Sequence, residues 1–490
     1  MDLSAHTEFD VIVVGGGPGG STTATLTAKQ GHRVLLLEKE KFPRYQIGES
    51  LLPSTVHGVG AMLGVTKELQ EAGFPVKRGG TFRWGANPEP WTFTFALSRK
   101  LAGPTSTAYQ VDRERFDQIL LDNARRCGVD VREEHEVVGL VIEDGRCRGV
   151  RYRDAAGQEH LARAKYVVVA AGNTTALYKH VGDRVYSDFF RNVAVFGYFE
   201  NGRRLPAPNE GNILCAAFND GWIWYIPLSD TLTSVGAVVS RDRVAAIQKD
   251  REGALHGFID DCALVRDYLK DAQRVTTGKY GEVRVRKDYS YHSTRYWHAG
   301  AALVGDAACF VDPVFSTGVH LATYGGVLAA RSINTVLAGT LPEEECFREF
   351  ERRYARELEV YYTFLQAMYD INDEKSSYFW EARKLLGTEQ PDEEAFVDLV
   401  AGVSTADTQR GTPFATRFGR ALQDATRPES LDEGDAVFAG DGTRLLGSVL
   451  HEAGDLQLRA VGVDADLLDG EMFADGLVPS WDGLTWESRH

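Results

Sequence analysis

A glycine-rich turn near the start of the chain constrains its fold more than any other feature. The apolar, β-branched run from Phe9 to Val14 is typical of a buried parallel strand. It leads into a G-x-G-x-x-G pattern formed by Gly15, Gly16, Gly17, Pro18, Gly19 and Gly20. In such a turn Gly15 permits the tight bend, Gly17 lets backbone approach a pyrophosphate, and Gly20 lets the next helix pack closely. The pattern therefore predicts a strand, turn and helix that bind a dinucleotide.

A second strand supplies the acidic group that a dinucleotide site needs. Residues 34–37 are apolar, and Glu38 follows them eighteen residues after Gly20, with Lys39 beside it. A carboxylate at this position accepts hydrogen bonds from a ribose hydroxyl. A glycine-rich turn without a ligand is the alternative, but the strand, helix and acid together favour a bound dinucleotide.

Residues at three later places favour FAD over NAD as that dinucleotide. They are Asp306 after the apolar strand 301–304, Arg113 before an amphipathic helix predicted over 115–126, and Arg44 with the loop of Gly48, Glu49 and Ser50. The last two resemble segments that contact FAD in the aromatic-hydroxylase-like group, and Asp306 is placed for the ribityl or pyrophosphate end. Ordinary surface ion pairs remain the alternative for both arginines, and a helix cap or loop acid remains one for Glu49.

Charge and cysteine usage exclude several classes of partner. Lys and Arg total 54 against 70 Asp and Glu, and the resulting net charge of −16 disfavours nucleic acid. No apolar run approaches a membrane-spanning length, and the first four residues lack signal-peptide character. The cysteines have neither disulfide nor metal spacing; they are Cys127, Cys147, Cys215, Cys262, Cys309 and Cys346. We therefore expect a cytoplasmic protein with reduced thiols, no metal and no membrane partner.

The nucleotide-binding segments are spread along the 490 residues, which predicts a discontinuous domain. Residues 1–78, 109–180 and 296–340 are assigned to an α/β, Rossmann-like FAD-binding domain of the aromatic-hydroxylase and glutathione-reductase type. Residues 79–108 and 181–295 are predicted to form a mostly antiparallel sheet that covers the isoalloxazine and forms the substrate pocket. Residues 341–490 are predicted to be a helical C-terminal region with an acidic flexible linker. Its aromatic residues, from Tyr354 to Trp380, are expected in the core or, in part, at the pocket entrance.

A tryptophan motif distinguishes two kinds of flavin chemistry. Trp222, Trp224, Ile226 and Pro227 spell W-x-W-x-I-P, which is rare in flavin hydroxylases and is the signature of flavin-dependent halogenases. With the stretches at 42–53, 77–85 and 312–320, it makes the chain resemble that family from residue 9 to at least residue 386. The branch that it resembles chlorinates tyrosine-derived phenols held on peptidyl carrier proteins, as in glycopeptide antibiotic assembly.

The resemblance implies a sequence of reactions for the site. In the family, reduced FAD and oxygen give a flavin C4a-hydroperoxide, and chloride attacks its distal oxygen to form hypochlorous acid. Lys77 matches the lysine that holds this electrophile as a chloramine or through a hydrogen bond. Because an ammonium is not a nucleophile, burial should lower the pKa of Lys77. Without the resemblance, Lys77 would be read as a surface lysine beside a Gly-Gly turn.

The resemblance also assigns roles to the residues around the halide. Thr317 and Gly318 match the chloride site, and Gly318 and Val319 match flavin contacts. The alternative is a plain helix start capped by Ser316 or Thr317. The residues expected to separate flavin from substrate are Trp222, Trp224, Ile226, Pro227, Pro313 and Phe315. For both tryptophans, core packing is an equal alternative.

Two departures from related families refine the prediction. Tryptophan halogenases carry a glutamate where this chain has Phe315, and an already activated phenol has less need of it. His320 is a candidate for the final proton acceptor, with a satisfied core histidine as the alternative. The hydroxylases' Asp-Gly motif for NAD(P)H is replaced by Ala171, Gly172 and Asn173, so a separate flavin reductase should supply reduced FAD.

These observations predict an FAD-dependent chlorinase that acts ortho to a phenolic hydroxyl and uses chloride, oxygen and reduced FAD. A flavin-dependent phenol hydroxylase of the same fold is one alternative, although it would leave Lys77 and the tryptophan motif without a chemical purpose. A catalytically silent FAD-binding partner protein is the other. The retained lysine, tryptophans and 312–318 loop argue against it.

Overall fold

The computed structural model describes residues 7–85, 89–97, 106–370 and 476–488. In chain order the strands are β1 (Thr7–Val14), β2 (Val34–Leu37), β3 (Val76–Lys77), β4 (Gly79–Arg83), β5 (Trp91–Thr94), β6 (Ala108–Tyr109), β7 (Asp130–Arg132), β8 (Glu136–Glu143), β9 (Arg146–Arg153), β10 (Glu159–Val169), β11 (Arg184–Glu200), β12 (Ile213–Phe218), β13 (Gly221–Pro227), β14 (Leu232–Ser240), β15 (Gln273–Arg274), β16 (Arg284–Ser293), β17 (Trp297–His298), β18 (Ala301–Leu303), β19 (Cys309–Phe310), β20 (Val478–Pro479) and β21 (Trp486–Glu487).

The α-helices are α1 (Pro18–Ala28), α2 (Gly60–Leu63), α3 (Thr66–Glu71), α4 (Arg113–Arg126), α5 (Val244–Lys249), α6 (Arg251–Asp261), α7 (Ala263–Tyr268), α8 (Thr317–Ala338) and α9 (Glu343–Asp370). A π-helical turn spans Ser54–Val59. The predicted helix over 115–126 begins earlier, at Arg113, because the Asp112 carboxylate caps it and accepts a hydrogen bond from Glu114 N.

The first sheet is built around β1, with β10 and β2 parallel on either side. β18 and β7 continue the parallel order outward, and β17, β9 and β8 are antiparallel additions. Its central strands are buried on both faces, which explains their continuous apolar runs. The carboxyl ends of parallel strands meet at one edge, so the glycine turn, Glu38 and Asp306 lie along the same side of this sheet.

The second sheet has the order β19-β16-β11-β14-β13-β12-β4-β5 and is antiparallel except where β4 runs beside β12. Side chains alternate between two cores. Ala194 and Phe196 on β11 face the main core that also contains the first sheet, whereas Val193 and Val195 face a smaller core. Helices α5, α6 and α7 contribute apolar residues to that smaller core. The face turned to the main core therefore adjoins the nucleotide-binding domain.

The α/β class and the antiparallel second sheet agree with the sequence prediction, and three features differ in detail. β19 lies in the segment 296–340 yet pairs with β16 of the second sheet, since the chain crosses between the sheets just after Asp306. Of the predicted helical region, α9 covers 343–370, while the predicted linker lies outside the described residues. Residues 476–488 contain the hairpin of β20 and β21 instead of a helix.

Across the described ranges, no helix has both the length and the apolar character needed to cross a membrane. The same ranges contain no group of three or more His, Cys, Asp or Glu side chains arranged to hold a metal ion. All six cysteines are free thiols, and all but Cys127 are buried.

Candidate active site

The glycine turn has the close backbone packing that its sequence requires. Gly15 has φ +105°, and a Cβ at Gly20 would lie only 2.0 Å from the Gly15 carbonyl oxygen. Gly17 caps α1 without any side chain, so amides of the first turn of α1 are available to an anion. Glu38 Oε2 accepts a hydrogen bond from Gly16 N over 2.7 Å, which places the carboxylate at the edge of the turn. The arrangement suits a nucleotide with its pyrophosphate at the helix start.

Arg44 and Arg113 meet on one buried carboxylate, Asp117. Arg44 Nη1 lies 2.8 Å from Asp117 Oδ2, and Arg113 Nε lies 2.8 Å from Oδ1. Arg113 also donates to the carbonyl oxygens of Ile47 and Gly48. A Cβ at Gly17 would lie 3.5 Å from Arg44 Nη2, so this cluster adjoins the glycine turn. The surface ion pair considered for the arginines is therefore a buried one, and Asp117 is a site residue that the sequence reasoning missed.

Glu49 is buried between the nucleotide-binding domain and the second sheet. Burial raises its pKa from 4.5 to about 7, opposed by Ser234, Tyr198 and Arg113. Tyr198 Oη donates to Glu49 Oε1 over 2.8 Å. Ser234 approaches the carboxyl group, but Glu49 Oε2 has no hydrogen-bond partner among the described residues. An unsatisfied buried carboxyl oxygen points to a bound group that the protein alone does not supply.

Asp306 lies in a turn directly after the first sheet, at Gly305–Ala307. Burial raises the pKa of its carboxyl group to about 6, and the guanidinium groups of Arg113 and Arg184 oppose that rise. Tyr354 holds the turn, because Gly305 N donates to its hydroxyl oxygen over 3.0 Å. The expected contact of Asp306 with the ribityl or pyrophosphate end of FAD stays a prediction.

Lys77 is buried in strand β3 with only 2% of its surface exposed. Its Nζ donates to the carbonyl oxygen of Leu51 over 3.0 Å and lies 5.6 Å from the centre of the Phe95 ring. Burial lowers the pKa of Lys77 from 10.5 to about 7, and among the described residues no carboxylate offsets the shift. The predicted burial and lowered pKa are confirmed, and burial favours the neutral amine form of Lys77.

An aromatic cluster extends from Lys77 to the 312–318 loop. Phe82 is at its centre, with ring centroids 5.1 Å from Trp91, 5.9 Å from Phe93 and 5.9 Å from Phe315. Phe93 continues the contacts to Phe95, the ring beside Lys77. We call Phe82, Trp91, Phe93, Phe95 and Phe315 the aromatic cluster. All five rings are buried, and none is more than 5% exposed.

The segment from Asp312 to Val319, called the halide loop below, ends in the first turn of α8. Ser316 has φ +63° and occupies the N-cap of α8, but its side chain makes no capping hydrogen bond. Thr317 Oγ1 is buried and has no hydrogen-bond partner among the described residues, and a Cβ at Gly318 would meet open space. The side-chain cap considered from sequence is thus not found, and the exposed amides of a long helix favour an anion here.

The tryptophan motif occupies strand β13. Trp222, Trp224 and Ile226 lie on the face turned to the main core, as the two-residue period of a strand requires. Trp222 Nε1 donates to Tyr369 Oη over 2.8 Å, and Tyr369 Oη donates to Asp312 Oδ2 over 2.7 Å. The motif is therefore packed in the core and linked to the halide loop through the Tyr369 hydroxyl group. Tyr369, on α9, carries no local sequence signal for this role.

His320 lies one turn into α8 with 2% of its surface exposed. Its Nε2 is 2.8 Å from Glu357 Oε1, and its Nδ1 is 3.1 Å from Ser54 Oγ. Both ring nitrogens are thus engaged by buried groups on other elements. This arrangement favours the core-histidine alternative over the role of final proton acceptor.

The buried unpartnered oxygens are consistent with bound FAD and chloride. These oxygens lie on two loops and are Glu49 Oε2, Ser50 Oγ and Thr317 Oγ1. The two loops approach each other, since a Cβ at Gly48 would lie 3.9 Å from the Val319 side chain. A flavin ring and an anion are groups that could satisfy such atoms.

Comparison with known proteins agrees with the geometry. The sequence profile of the family described as tryptophan halogenase matches residues 10–103 and 97–425. The tryptophan 2-halogenase of Chondromyces crocatus is 32% identical over 447 residues, covering 88% of this chain and 83% of that protein. The structure of the myxobacterial chondrochloren halogenase CndH, described as a new variant of FAD-dependent halogenases, is 54% identical with a TM-score of 0.79. That match covers 98% of this chain and 100% of CndH.

A second solved structure, the flavin-dependent halogenase CmlS, is 34% identical with a TM-score of 0.72 and covers 78% of this chain and 68% of CmlS. The residues that the profile matches include the nucleotide turn, Lys77, the tryptophan motif and the halide loop. The chain belongs to the flavin-dependent halogenases, oxidoreductases that use FAD, chloride and molecular oxygen.

Proposed function

We propose that this halogenase chlorinates a tyrosine-derived phenol ortho to its hydroxyl group. The observation that carries the proposal is the position of Lys77, buried with a pKa near 7 and facing the aromatic cluster. Cys215 lies close enough to Lys77 to oppose the fall in its pKa, and Cys215 Sγ lies 3.7 Å from the Val314 carbonyl oxygen of the halide loop. One amine thus adjoins both the expected source of chlorine and a surface for an aromatic ring.

Bound reduced FAD would supply the two electrons that activate molecular oxygen for the oxidation of chloride. Chloride, oxygen, reduced FAD and one proton then balance against hypochlorous acid, oxidised FAD and water. The halide loop would hold chloride at the amides of Thr317 and Gly318. Glu38, Arg113 and Asp306 would hold the nucleotide.

Lys77 would receive and orient the electrophile. A neutral amine can displace hydroxide from hypochlorous acid to give a chloramine, whereas an ammonium can only donate a hydrogen bond. On the chloramine route the displaced hydroxide takes an amine proton to form water, chlorine then replaces one ring hydrogen, and the ring proton returns to the amine nitrogen. On the hydrogen-bonded route the ring proton combines with the hydroxide of hypochlorous acid as water. In both forms Lys77 holds the chlorine at one place on the ring, which accounts for a regioselective product.

Phe315 supports a phenol as the substrate. Its ring is buried and packs on Phe82, so it supplies surface and no charge to the site. A phenol is activated by its own hydroxyl group and requires less help from a carboxylate in stabilising the cationic ring intermediate. Trp222 and Trp224, both buried, would limit direct access of the ring to the flavin.

Two partners complete the proposal. A separate flavin reductase would supply reduced FAD, because the chain has one G-x-G-x-x-G turn and lacks the hydroxylases' NAD(P)H-linked motif at 171–173. A peptidyl carrier protein would present the tyrosine-derived group. The carrier is inferred from the branch that the sequence resembles.

The test is a mass-spectrometric assay with FAD, a flavin reductase, NADH and chloride. Tyrosine and β-hydroxytyrosine are offered free and loaded on a carrier protein. We expect a chlorine isotope pattern on the loaded substrate, reduced roughly 100-fold or more in Lys77→Met. Lys67→Met is the matched control, because Lys67 has 81% of its side chain exposed and should leave activity unchanged.

Two other outcomes would correct the proposal. A gain of one oxygen that Lys77→Met does not reduce would show a hydroxylase. Equal chlorination of free and loaded tyrosine would retain the phenol chlorinase and remove the carrier protein.

A further inference from the structure

A series of hydrogen bonds leads from the half-buried Tyr45 to the fully buried Glu49. Tyr198 Oη donates to Glu49 Oε1 over 2.8 Å and lies 2.6 Å from Tyr45 Oη. Because the Tyr198 proton is engaged by Glu49, Tyr45 is the donor to Tyr198. The three groups form one ordered series in which every hydroxyl proton points toward the carboxyl group.

The two ends of this series lie in different surroundings. At the outer end, Tyr45 is partly exposed, and the guanidinium carbon of Arg284 is 3.9 Å from its ring centre. At the inner end, Glu49 is 3% exposed and its Oε2 has no partner among the described residues. The preceding residue, Gly48, approaches Val319 of the halide loop. The series thus connects the protein surface with the junction of the flavin and halide loops.

We propose that Tyr45, Tyr198 and Glu49 form a proton relay that carries the proton consumed in halide oxidation from solvent to the active site. The inference rests on the proposed function, in which each hypochlorous acid formed consumes one proton. Glu49 releases its proton into the site, Tyr198 passes its proton to Glu49, Tyr45 passes its proton to Tyr198, and solvent restores Tyr45. Every group ends with the proton count with which it began.

The charge state of Glu49 suits a group that both holds and releases a proton. Its raised pKa, about 7, is set by burial, with Asp112 adding to the rise. Ser234, Tyr198 and Arg113 favour the ionised form and keep the pKa from rising further. Burial raises the pKa values of both tyrosines, so they pass protons as neutral hydroxyls and do not persist as phenolates.

A role in core packing alone does not account for the buried, unpartnered Oε2 of Glu49. A buried carboxyl oxygen without a partner destabilises the folded state, and an apolar side chain at this position would avoid that loss. The Tyr198 hydroxyl group satisfies Oε1 only. The position of Oε2 is explained if it passes a proton to a bound group.

The first measurement is infrared difference spectroscopy of the full chain with oxidised FAD bound. The carboxylic acid band of Glu49 is identified by its loss in Glu49→Gln. We expect this band to titrate near pH 7, and Tyr198→Phe to raise its pKa, because the variant removes a donor to the ionised form. Tyr280→Phe is the control, since its ring is 4.2 Å from that of Tyr198 but its hydroxyl lies outside the series.

The second measurement follows halide oxidation by chlorination of an electron-rich 1,3-diketone, which needs no phenol. Glu49→Gln and Tyr198→Phe should each lower the rate roughly tenfold or more and alter its pH profile and solvent deuterium isotope effect. A Glu49 that remains ionised across neutral pH, or a Tyr198→Phe enzyme with the wild-type rate and pH profile, would overturn the relay. If the diketone is chlorinated and the two variants change its rate, pH profile and isotope effect as expected, the relay is supported. If the phenol is not chlorinated in the same experiment, the proposed substrate is wrong.

Discussion

Lys77 occupies a position that destabilises the folded protein. Burial lowers its pKa from 10.5 to about 7, so the folded state resists the proton that the unfolded chain binds. The loss of folding free energy caused by burying the Lys77 charge is complete below pH 7. It diminishes as the pH rises toward 10.5, and it is absent above that value. The shift corresponds to at most about 5 kcal/mol, because one pKa unit equals roughly 1.4 kcal/mol.

We therefore predict that Lys77→Met is inactive and more stable than the wild type. Methionine has a similar volume and no charge. The free energy of unfolding should therefore be several kcal/mol higher in Lys77→Met than in the wild type at pH 6, and this difference should shrink as the pH rises from 7 toward 10. Denaturant unfolding at several pH values measures it. Lys67→Met should change stability by less than about 0.5 kcal/mol, and an equal gain at every pH would show that charge burial is not the cause.

The positions of individual site residues were predictable from sequence where a short motif determines them. The glycine turn and the acid at Glu38 could be placed from spacing alone. The burial of Lys77 needed the family resemblance, because the local sequence reads as a turn at the surface. Asp117 could have been found as an acid four residues after Arg113 on one helix face. Tyr198 and Tyr369 could not, since their partners are far away in the chain.

At the scale of elements, the end of α9 is tied to the active site by one hydroxyl group. Tyr369 Oη accepts a hydrogen bond from Trp222 and donates one to Asp312. The Trp84 indole, in turn, donates to the carbonyl oxygen of Met368 over 2.7 Å. Helix α9 thereby holds the tryptophan motif and the halide loop in a fixed relation.

Tyr369→Phe should loosen the halide loop without disturbing the nucleotide. Removing the hydroxyl leaves Trp222 Nε1 without its partner, and the loss should be about 1–3 kcal/mol of stability. We expect a higher KM for chloride and more hydrogen peroxide released per NADH consumed, with FAD affinity unchanged.

Tyr362→Phe is the matched control for this variant. Tyr362 lies on the same helix, and its hydroxyl is 2.8 Å from Ser187 Oγ, on β11. The two variants should differ in the KM for chloride. If they raise it equally, the effect belongs to α9 as a whole and not to the Tyr369 hydroxyl.

Element boundaries were predictable where capping and periodicity agree, and were missed where distant partners decide them. Trp222, Trp224 and Ile226 face the main core, and the residues between them, Ile223 and Tyr225, face the smaller core. This alternation of apolar side chains is the pattern of a strand with both faces buried. In contrast, β19 is two residues long and exists because β16 lies beside it. No local pattern could assign those two residues to the second sheet.

At the scale of the whole molecule, the last described residues close the main core over α8 and α9. Trp486 is 2% exposed, its Nε1 donates to Ser332 Oγ over 2.9 Å, and its backbone N donates to Thr335 Oγ1. The guanidinium groups of Arg331 and Arg353 lie 4.6 and 5.0 Å from the Trp486 ring centres. The hairpin thus secures the helix whose first turn is the halide loop.

This arrangement was hidden from the sequence reasoning, which assigned the C-terminal region to helix. Two strands of two residues carry little periodicity, and the hairpin depends on α8 and α9 for its burial. Arg331 and Arg353 likewise look like solvent-facing helix residues, yet Arg331 donates to the Gly483 carbonyl oxygen and Arg353 to that of Leu477. The folded chain pairs groups about 150 residues apart, which no short sequence window can anticipate.

Two tryptophans in this hairpin allow its contribution to be measured. Trp486→Ala removes a buried ring, two cation–π contacts and a hydrogen bond to Ser332, and should lower the free energy of unfolding by about 3–5 kcal/mol. Trp481→Ala is the matched control, because Trp481 is 87% exposed and its loss should change stability by less than about 0.5 kcal/mol. Because α8 begins at the halide loop, Trp486→Ala should also raise the KM for chloride before the protein unfolds. A Trp486→Ala enzyme with wild-type stability would show that the hairpin contacts the helices without stabilising them.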